Sequence, residues 1–375
     1  MARCDGPARH TPPARQARRV RCCDVGFSTF RKRPGILPRQ EDATMKRALF
    51  RRHGAPQDVI EIVEEPDPHP GPKQVRVRNK VMTINPADLL SIEGRYGAEP
   101  IDLPATPGVG AWGIVDAVGA GVTRLAVGDA VLPVGGGFWS DTVILHERMA
   151  PKAPEGIDPQ QAALMRANPA TAHLMLSDMV DLAEGDWILQ NAANSNVGRM
   201  VIRFARERGL NSINIVRRAD VAKALTDDGA TAIIVDDGET DLVAAIQEAA
   251  KTAPKLALDA VGGTATGVLA ASVADRGTVV AYGLLSGQDH LIAPRDTVFR
   301  DVRLRGFWLF DWYRTATPDQ VRDLNDFLAR KMSEGVLQTE VAATYPLTGI
   351  KEALAHAARP GRNGKILLTA GDDDA

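Results

Sequence analysis

Residues 187–209, reading WILQNAANSNVGRMVIRFARERG, carry the most explicit chemistry in the chain. A short apolar run (Trp187, Ile188, Leu189) follows Asp186, and a turn of small residues and Asn runs from Asn191 to Asn196. Val197-Gly198 then opens a stretch with apolar residues at Met200, Val201, Phe204 and Ala205. That order predicts strand, tight turn and helix, where the helix dipole and the free N–H groups of the first turn can receive a pyrophosphate. The usual glycine spacing is missing, because Ala192, Ser195 and Asn196 stand where glycines are common. Asn is the least costly non-glycine residue at positive φ, so the turn remains possible, and an ordinary βα turn remains the alternative. The next apolar run, Ser212 to Val216, ends in Arg217-Arg218. An acid at that point suits a ribose 2′-hydroxyl, whereas basic residues suit a 2′-phosphate. A solvated charge pair, with Asp220 beside the arginines or opening the next helix, is the competing reading.

Elements on both sides must position these residues. After the arginines come Thr231–Val235, Leu256–Asp259 closing on Val261-Gly262-Gly263, and Thr278–Tyr282 closing on Gly283. Strands alternating with helical patterns predict an α/β fold, a Rossmann-type doubly wound parallel sheet with its ligand at the strand C-termini. NADP(H) is the ligand this pattern favours. The preceding chain reads differently, as short strands at Lys46–Phe50, Val59–Val63, Gln74–Val81, Ile114–Val118 and Phe138–Leu145, broken by PDPHPGP (66–72) and by many glycines. Between them, Ile84-Asn85-Pro86-Ala87-Asp88 caps a short helix. A β-rich segment before a doubly wound one indicates a separate substrate domain. After Phe310 the pattern turns helical (Pro318–Lys331, Gly349–Ala358), and the strand Lys365–Thr369 is expected to pair back with the first domain.

Composition narrows the function classes. At 375 residues with 44% hydrophobic side chains, two cored domains are expected. The overall charge of −2 conceals an asymmetry: residues 1–44 hold ten Lys and Arg against four acids, which leaves this leader at +6 and the remainder at −8. An acidic folded part does not suit nucleic acid or an anionic membrane surface. The Arg- and Pro-rich leader is expected to be disordered. A start misassigned upstream of Met45, which would leave the protein cytoplasmic, is preferred over a mitochondrial transit peptide. No apolar run is long enough for a transmembrane helix. Cys4, Cys22 and Cys23 all lie in the leader, so residues 45–375 can build neither a disulfide nor a Cys-based zinc site. His53, His69, His146, His173, His290 and His356 show no ligand spacing. Metal-free chemistry is expected.

The order of elements over 45–370 resembles the medium-chain dehydrogenase/reductase superfamily. Within it, INPADLLSIEGRYG (84–97), ANPATAHLML (167–176), QNAANSNVG (190–198), INIVRR (213–218) and LRGFWLFDW (304–312) are most similar to the zinc-free, mitochondrial-type trans-2-enoyl-CoA/ACP reductases. The resemblance implies a GroES-like catalytic domain in two parts, 45–167 and 309–375, around an NADP-binding Rossmann domain at 168–308, with a homodimer as the assembly. It places NADPH on Asn168, on Asn194, Ser195, Asn196 and Val197, and on Arg217, Arg218 and Ala219. It adds Tyr282, Gly283, Leu284 and Leu285, then Phe307, Trp308 and Leu309, and Lys365. It makes Tyr96, set in Gly94-Arg95-Tyr96-Gly97, the catalytic residue, whose hydroxyl would donate a proton or a hydrogen bond to a developing oxyanion without any metal; a structural tyrosine in a glycine-flanked turn is the alternative. Two departures stand out: Asn196 where the family commonly has Gly, and Gly110 where the superfamily usually has Glu, with Trp112 replacing a small residue nearby.

The implied reaction reduces the double bond of an enoyl-CoA or enoyl-ACP, adding hydride at Cβ and a proton at Cα. Trp308 and Trp312 are candidates for the wall of an acyl pocket. A zinc-free NADPH:quinone oxidoreductase is the main alternative, and a non-catalytic NADPH-binding protein with an RNA partner is the reading from another class.

Overall fold

The computed structural model describes residues 43–97, 101–359, 361 and 364–371. Residues 1–42 of the leader, with its cysteines, lie outside the described residues, and Thr44 already belongs to the first strand. The first strands form an antiparallel hairpin, β1 (Thr44–Phe50) with β2 (Ile60–Pro66). Its edge is tied to the chain that follows by the backbone bonds Ala48 N–H to Trp139 and Phe50 N–H to Ala105, at 2.8 and 3.0 Å.

A second, six-stranded sheet is mostly antiparallel. It contains β3 (Gln74–Thr83), β4 (Ala111–Val118), β5 (Ala130–Val131) and β6 (Thr142–His146). Its other members come from the far end of the sequence. After β7 to β12, described below, β13 (Val341–Pro346) and β14 (Lys365–Thr369) return to it, and β14 pairs antiparallel with β3 as expected, Leu368 opposite Met82. Alternation explains the buried face of β3, where Val75 and Val77 are buried and Arg76 and Arg78 turn out to Asp67 and Asp116. The strand expected over Phe138–Leu145 begins only at Thr142. Phe138 and Trp139, both fully buried, lie in a bend before it. The Trp139 indole donates to the Thr83 carbonyl at 3.0 Å and lies against Gly108.

The third sheet is parallel, built from β7 (Trp187–Gln190), β8 (Asn211–Val216), β9 (Ala232–Val235), β10 (Leu256–Asp259), β11 (Thr278–Ala281) and β12 (Arg303–Gly306). Its order is β12-β11-β10-β7-β8-β9. The chain therefore steps outward from β7 in one direction, returns, and steps outward from β10 in the other. A crevice opens at the C-terminal ends of the strands where that direction reverses. Ile188, Leu189, Ile213, Leu258 and Val280 are wholly buried between flanking helices, each contributing about 1.5–3 kcal/mol by leaving water.

Candidate active site

A cavity of about 2080 Å³ occupies that crevice. One wall is formed by the ends of the parallel strands, at Asn191, Arg217, Asp236, Ala260, Tyr282 and Phe307. The other is formed by the antiparallel sheet and its loops, at Asn85, Tyr96, Gly110, Val134 and Lys365. The cavity collects Tyr96 and every residue expected to hold a cofactor except Ala219, which opens a short turn (Ala219–Val221) outside the lining.

The turn after β7 is built for close approach. The helix Asn196–Glu207 is capped by Ser195, whose hydroxyl accepts from the Gly198 N–H at 3.1 Å. A Cβ on Gly198 would sit 2.5 Å from the Ala193 carbonyl oxygen, so only glycine lets the turn fold back on the helix. The positive-φ residue of this turn is Ala192, at φ 46°, and none of the asparagines has positive φ. Ala pays about 1–2 kcal/mol there, and the anchored neighbours hold it: Asn191 donates to Asp259 at 2.6 Å and accepts from the Ala260 N–H at 2.8 Å.

Several polar atoms on this wall lack partners. Asn168 Nδ2, Asn196 Nδ2 and the Tyr282 hydroxyl are buried and make no hydrogen bond. Burial pushes the Tyr282 pKa up, so the group stays a neutral donor. Each such group costs about 1–3 kcal/mol when left unmade, and their common position on the cavity wall fits a polar ligand laid along the helix N-terminus. Further out, Arg217 and Arg218 are exposed on the rim. Arg218 meets Asp220 only at 3.5 Å, and its guanidinium lies beside Gly361, where a Cβ would come within 2.7 Å.

Across the cavity, the Trp308 indole N–H donates to the Tyr96 hydroxyl oxygen at 2.8 Å, and the rings meet edge to face at 6.0 Å. With its oxygen accepting from Trp308, the Tyr96 hydroxyl keeps its own hydrogen for another acceptor. Burial raises the Tyr96 pKa; the Trp308 bond acts against that shift, and the charge of Asp88 adds to it. Beneath Tyr96, Asn85 and Asp88 form the capping box of the helix Pro86–Ile92. Asn85 donates to Thr83 at 2.9 Å and accepts from Lys365 at 2.6 Å. Gly110 fits this cluster, since a Cβ there would be 2.6 Å from the Thr83 hydroxyl. Trp112 packs half-buried beside Ala163 and Leu164 and does not line the cavity. Trp312 does not line the cavity either; its indole donates to Asp178 at 3.2 Å.

Comparison with known proteins fits both halves. Residues 71–155 match the alcohol dehydrogenase GroES-like domain, and residues 196–330 match the zinc-binding dehydrogenase family. The mitochondrial enoyl-[acyl-carrier-protein] reductase of Bos taurus is 34% identical over 337 residues, covering 88% of this chain and 90% of the relative. The chain belongs to the medium-chain dehydrogenase/reductase superfamily, in its enoyl-[acyl-carrier-protein] reductase branch. Among solved structures of this superfamily, an Etr1p/NADP/crotonyl-CoA complex superposes with a TM-score of 0.78 at 26% identity, covering 87% of this chain and 100% of that one. The Etr1p/Etr2p heterodimer of Candida tropicalis, a mitochondrial 2-enoyl thioester reductase, gives 0.77 at 27%, with the same coverage. A mycobacterial quinone oxidoreductase gives 0.75 at 25%, covering 87% and 99%.

Some residues of this reductase site were not singled out from the sequence. Asp259 is wholly buried, and hydrogen bonds from Thr266, Asn191, Gly262 and Val261 outweigh the upward push of burial and hold its pKa low. It thereby fixes the cofactor-side turn, a role its place at the end of a predicted strand could have signalled. Arg166 also lines the cavity, with only its position before the ANPATA motif as a clue. Among the described residues no group of three or more His, Cys, Asp or Glu is gathered to hold a metal.

Proposed function

We propose that this protein is an NADPH-dependent trans-2-enoyl thioester reductase, acting on enoyl-CoA or enoyl-ACP. The observation that carries the reading is the Tyr96–Trp308 pair, which sets a tyrosine hydroxyl with a free proton on the wall facing the cofactor-side turn. The named relatives reduce enoyl thioesters, and one is described in complex with NADP and crotonyl-CoA.

When bound, NADPH supplies a hydride to the substrate's Cβ. Asn194, Ser195, Asn196 and Val197 would hold its pyrophosphate at the helix N-terminus, the unpartnered Asn168 and Tyr282 groups would take further polar contacts, and Arg217 with Arg218 would hold the 2′-phosphate. Gly283, Leu284, Leu285, Phe307, Trp308, Leu309 and Lys365 complete the wall on this reading. As negative charge develops on the thioester oxygen, Tyr96 donates a hydrogen bond to it or its proton to Cα. Trp308 orients that hydroxyl and keeps its oxygen occupied, so the donor direction is set toward the cavity. The lack of any cysteine beyond Cys23 removes the usual donors for zinc, and the tyrosine route uses none. We place the site between two domains of one subunit, divided near residues 167 and 309.

A homodimer is proposed along β12. All its residues are exposed at the sheet edge, and Val298 and Phe299 just before it are 67% and 83% exposed. An unpaired edge flanked by apolar side chains is a template for a second strand, although the Candida tropicalis relative is described as a heterodimer.

The quinone oxidoreductase reading is kept because a putative NADPH:quinone reductase from Bacillus thuringiensis superposes with a TM-score of 0.83 at 29% identity, covering 88% of this chain and 100% of that one. NADPH oxidation with crotonyl-CoA, run beside phenanthrenequinone, separates the two. Turnover of the quinone alone would overturn the enoyl reductase assignment.

A further inference from the structure

We infer that Arg166 selects acyl chains that end in a carboxylate, an inference that rests on the enoyl reductase reading. Arg166 is the C-terminal cap of the helix Pro159–Met165 and stands on the cavity wall. Its guanidinium lies over the Tyr313 ring, 5.2 Å from the centroid, which fixes the plane of the group. Nη1 reaches only the Leu132 carbonyl, at 3.5 Å, the outer limit of a hydrogen bond. Nη2 is buried with no partner at all. Among the described residues no carboxylate pairs with this guanidinium, whereas Arg199 and Arg203 nearby in the sequence both pair with Asp228.

The surroundings of that donor narrow the chemistry of its partner. Pro133 and Val134 follow Leu132 on the wall, Met149 is joined to Val134 by a 2.8 Å backbone bond, and Ala163 lies one turn before Arg166. The guanidinium is thus a cation set among apolar lining residues. A ligand suited to it has an apolar chain and an anionic end, because the planar guanidinium fork matches a carboxylate's oxygens. A methyl-ended chain leaves Nη2 unpaired and brings hydrocarbon against the charge. The contacts of Arg166 run to Leu132 and Tyr313 and not to the turn at Asn194–Val197, which sets it apart from the wall assigned to the pyrophosphate.

The test compares trans-2-enoyl-CoAs of increasing length, each made with a terminal methyl or a terminal carboxylate. At one chain length the wild-type enzyme is expected to show a higher kcat/KM for the carboxylate form. Arg166→Met, which keeps the length of the side chain, is expected to lower that form at least tenfold, the scale of a hydrogen bond to a charged group, and to spare or raise the methyl form. A wild-type enzyme that prefers the methyl form at every length overturns the proposal without any variant. So does an Arg166→Met enzyme that loses both series alike, or that loses NADPH affinity instead. A protein that reduces none of these thioesters overturns the enoyl reductase reading, and the proposal falls with it.

Discussion

Replacing both Arg217 and Arg218 by Ala is expected to abolish most of the preference for NADPH over NADH. The magnitude follows from where the two side chains stand. Both are exposed at the rim, and the side chains of Arg218 and Asp220 are 42% and 66% exposed across a 3.5 Å gap. An exposed pair of this kind contributes only about 0–1 kcal/mol, so Asp220 neutralises little, and the substitution costs the fold little. A hydrogen bond to a charged phosphate contributes about 1.5–3 kcal/mol, or roughly 10–150-fold. Exposure and salt put each arginine at the lower end of that range, so the double variant should lose about tenfold to 100-fold in relative kcat/KM. The assay is steady-state kinetics with each nucleotide against crotonyl-CoA at fixed ionic strength. kcat/KM with NADH should hardly change, because NADH has no 2′-phosphate. An unchanged NADPH/NADH ratio would refute the assignment of this strand end, and equal losses with both nucleotides would show a structural role instead.

Trp308→Phe removes the donor to Tyr96 while keeping an aromatic face; kcat for enoyl thioester reduction should fall about tenfold, the value of one oriented hydrogen bond, with the Tyr96 titration moving further upward. Activity equal to wild type would show that Trp308 does not orient the hydroxyl. Asp88 is wholly buried, and burial raises its pKa to about 7, with the Asn85 amide and Lys365 pulling the other way. Its folded value thus exceeds the ordinary aspartate value of 3.8, so the stability it contributes is complete below 3.8 and is lost as pH rises through about 7. Urea denaturation should therefore show wild type losing stability relative to Asp88→Asn between about pH 4 and about pH 8, on the order of 4 kcal/mol at most; a pH-independent difference would sink the claim. Phe299→Glu should convert the dimer to a monomer by light scattering, with the fold intact by circular dichroism, and a variant that remains dimeric would place the interface elsewhere.

Five of the six parallel strands were legible because each is a short, mostly apolar run closed by polar residues or glycine, whereas β12, reading Arg-Leu-Arg-Gly and fully exposed, carries no such signal. The return of Lys365–Thr369 to the first domain was legible for a similar reason, since a last apolar run needs a sheet to join. The strand expected from Phe138 starts only at Thr142, because apolar residues are also what a buried bend contains, and Gly135, Gly136 and Gly137 just before Phe138 were the clue. The Asn191–Asn196 segment was read correctly as a turn, but the positive φ was expected at an Asn and falls on Ala192. Local propensity favoured Asn, and the anchoring of Asn191 by Asp259 decided otherwise. Tyr96 and Trp308 were each visible as site candidates, yet the bond between them joins residues 212 apart, which no local pattern records. Trp312, one helical turn beyond Trp308, was paired with it as a pocket wall, and the helix Leu309–Thr315 turns the two indoles to different partners. Arg166 was overlooked because its significance lies wholly in what it lacks after folding.

The most direct test of the account is the rate of NADPH oxidation by wild type and Tyr96→Phe with crotonyl-CoA and with phenanthrenequinone. Removing one oxygen from a general acid or oxyanion donor is expected to lower kcat for crotonyl-CoA about 10²–10⁴-fold, toward the lower end if water replaces the hydroxyl. NADPH affinity should stay close to wild type, and quinone reduction, which needs no protonation at carbon, should suffer less. A Tyr96→Phe enzyme that reduces crotonyl-CoA at the wild-type rate would contradict the central claim.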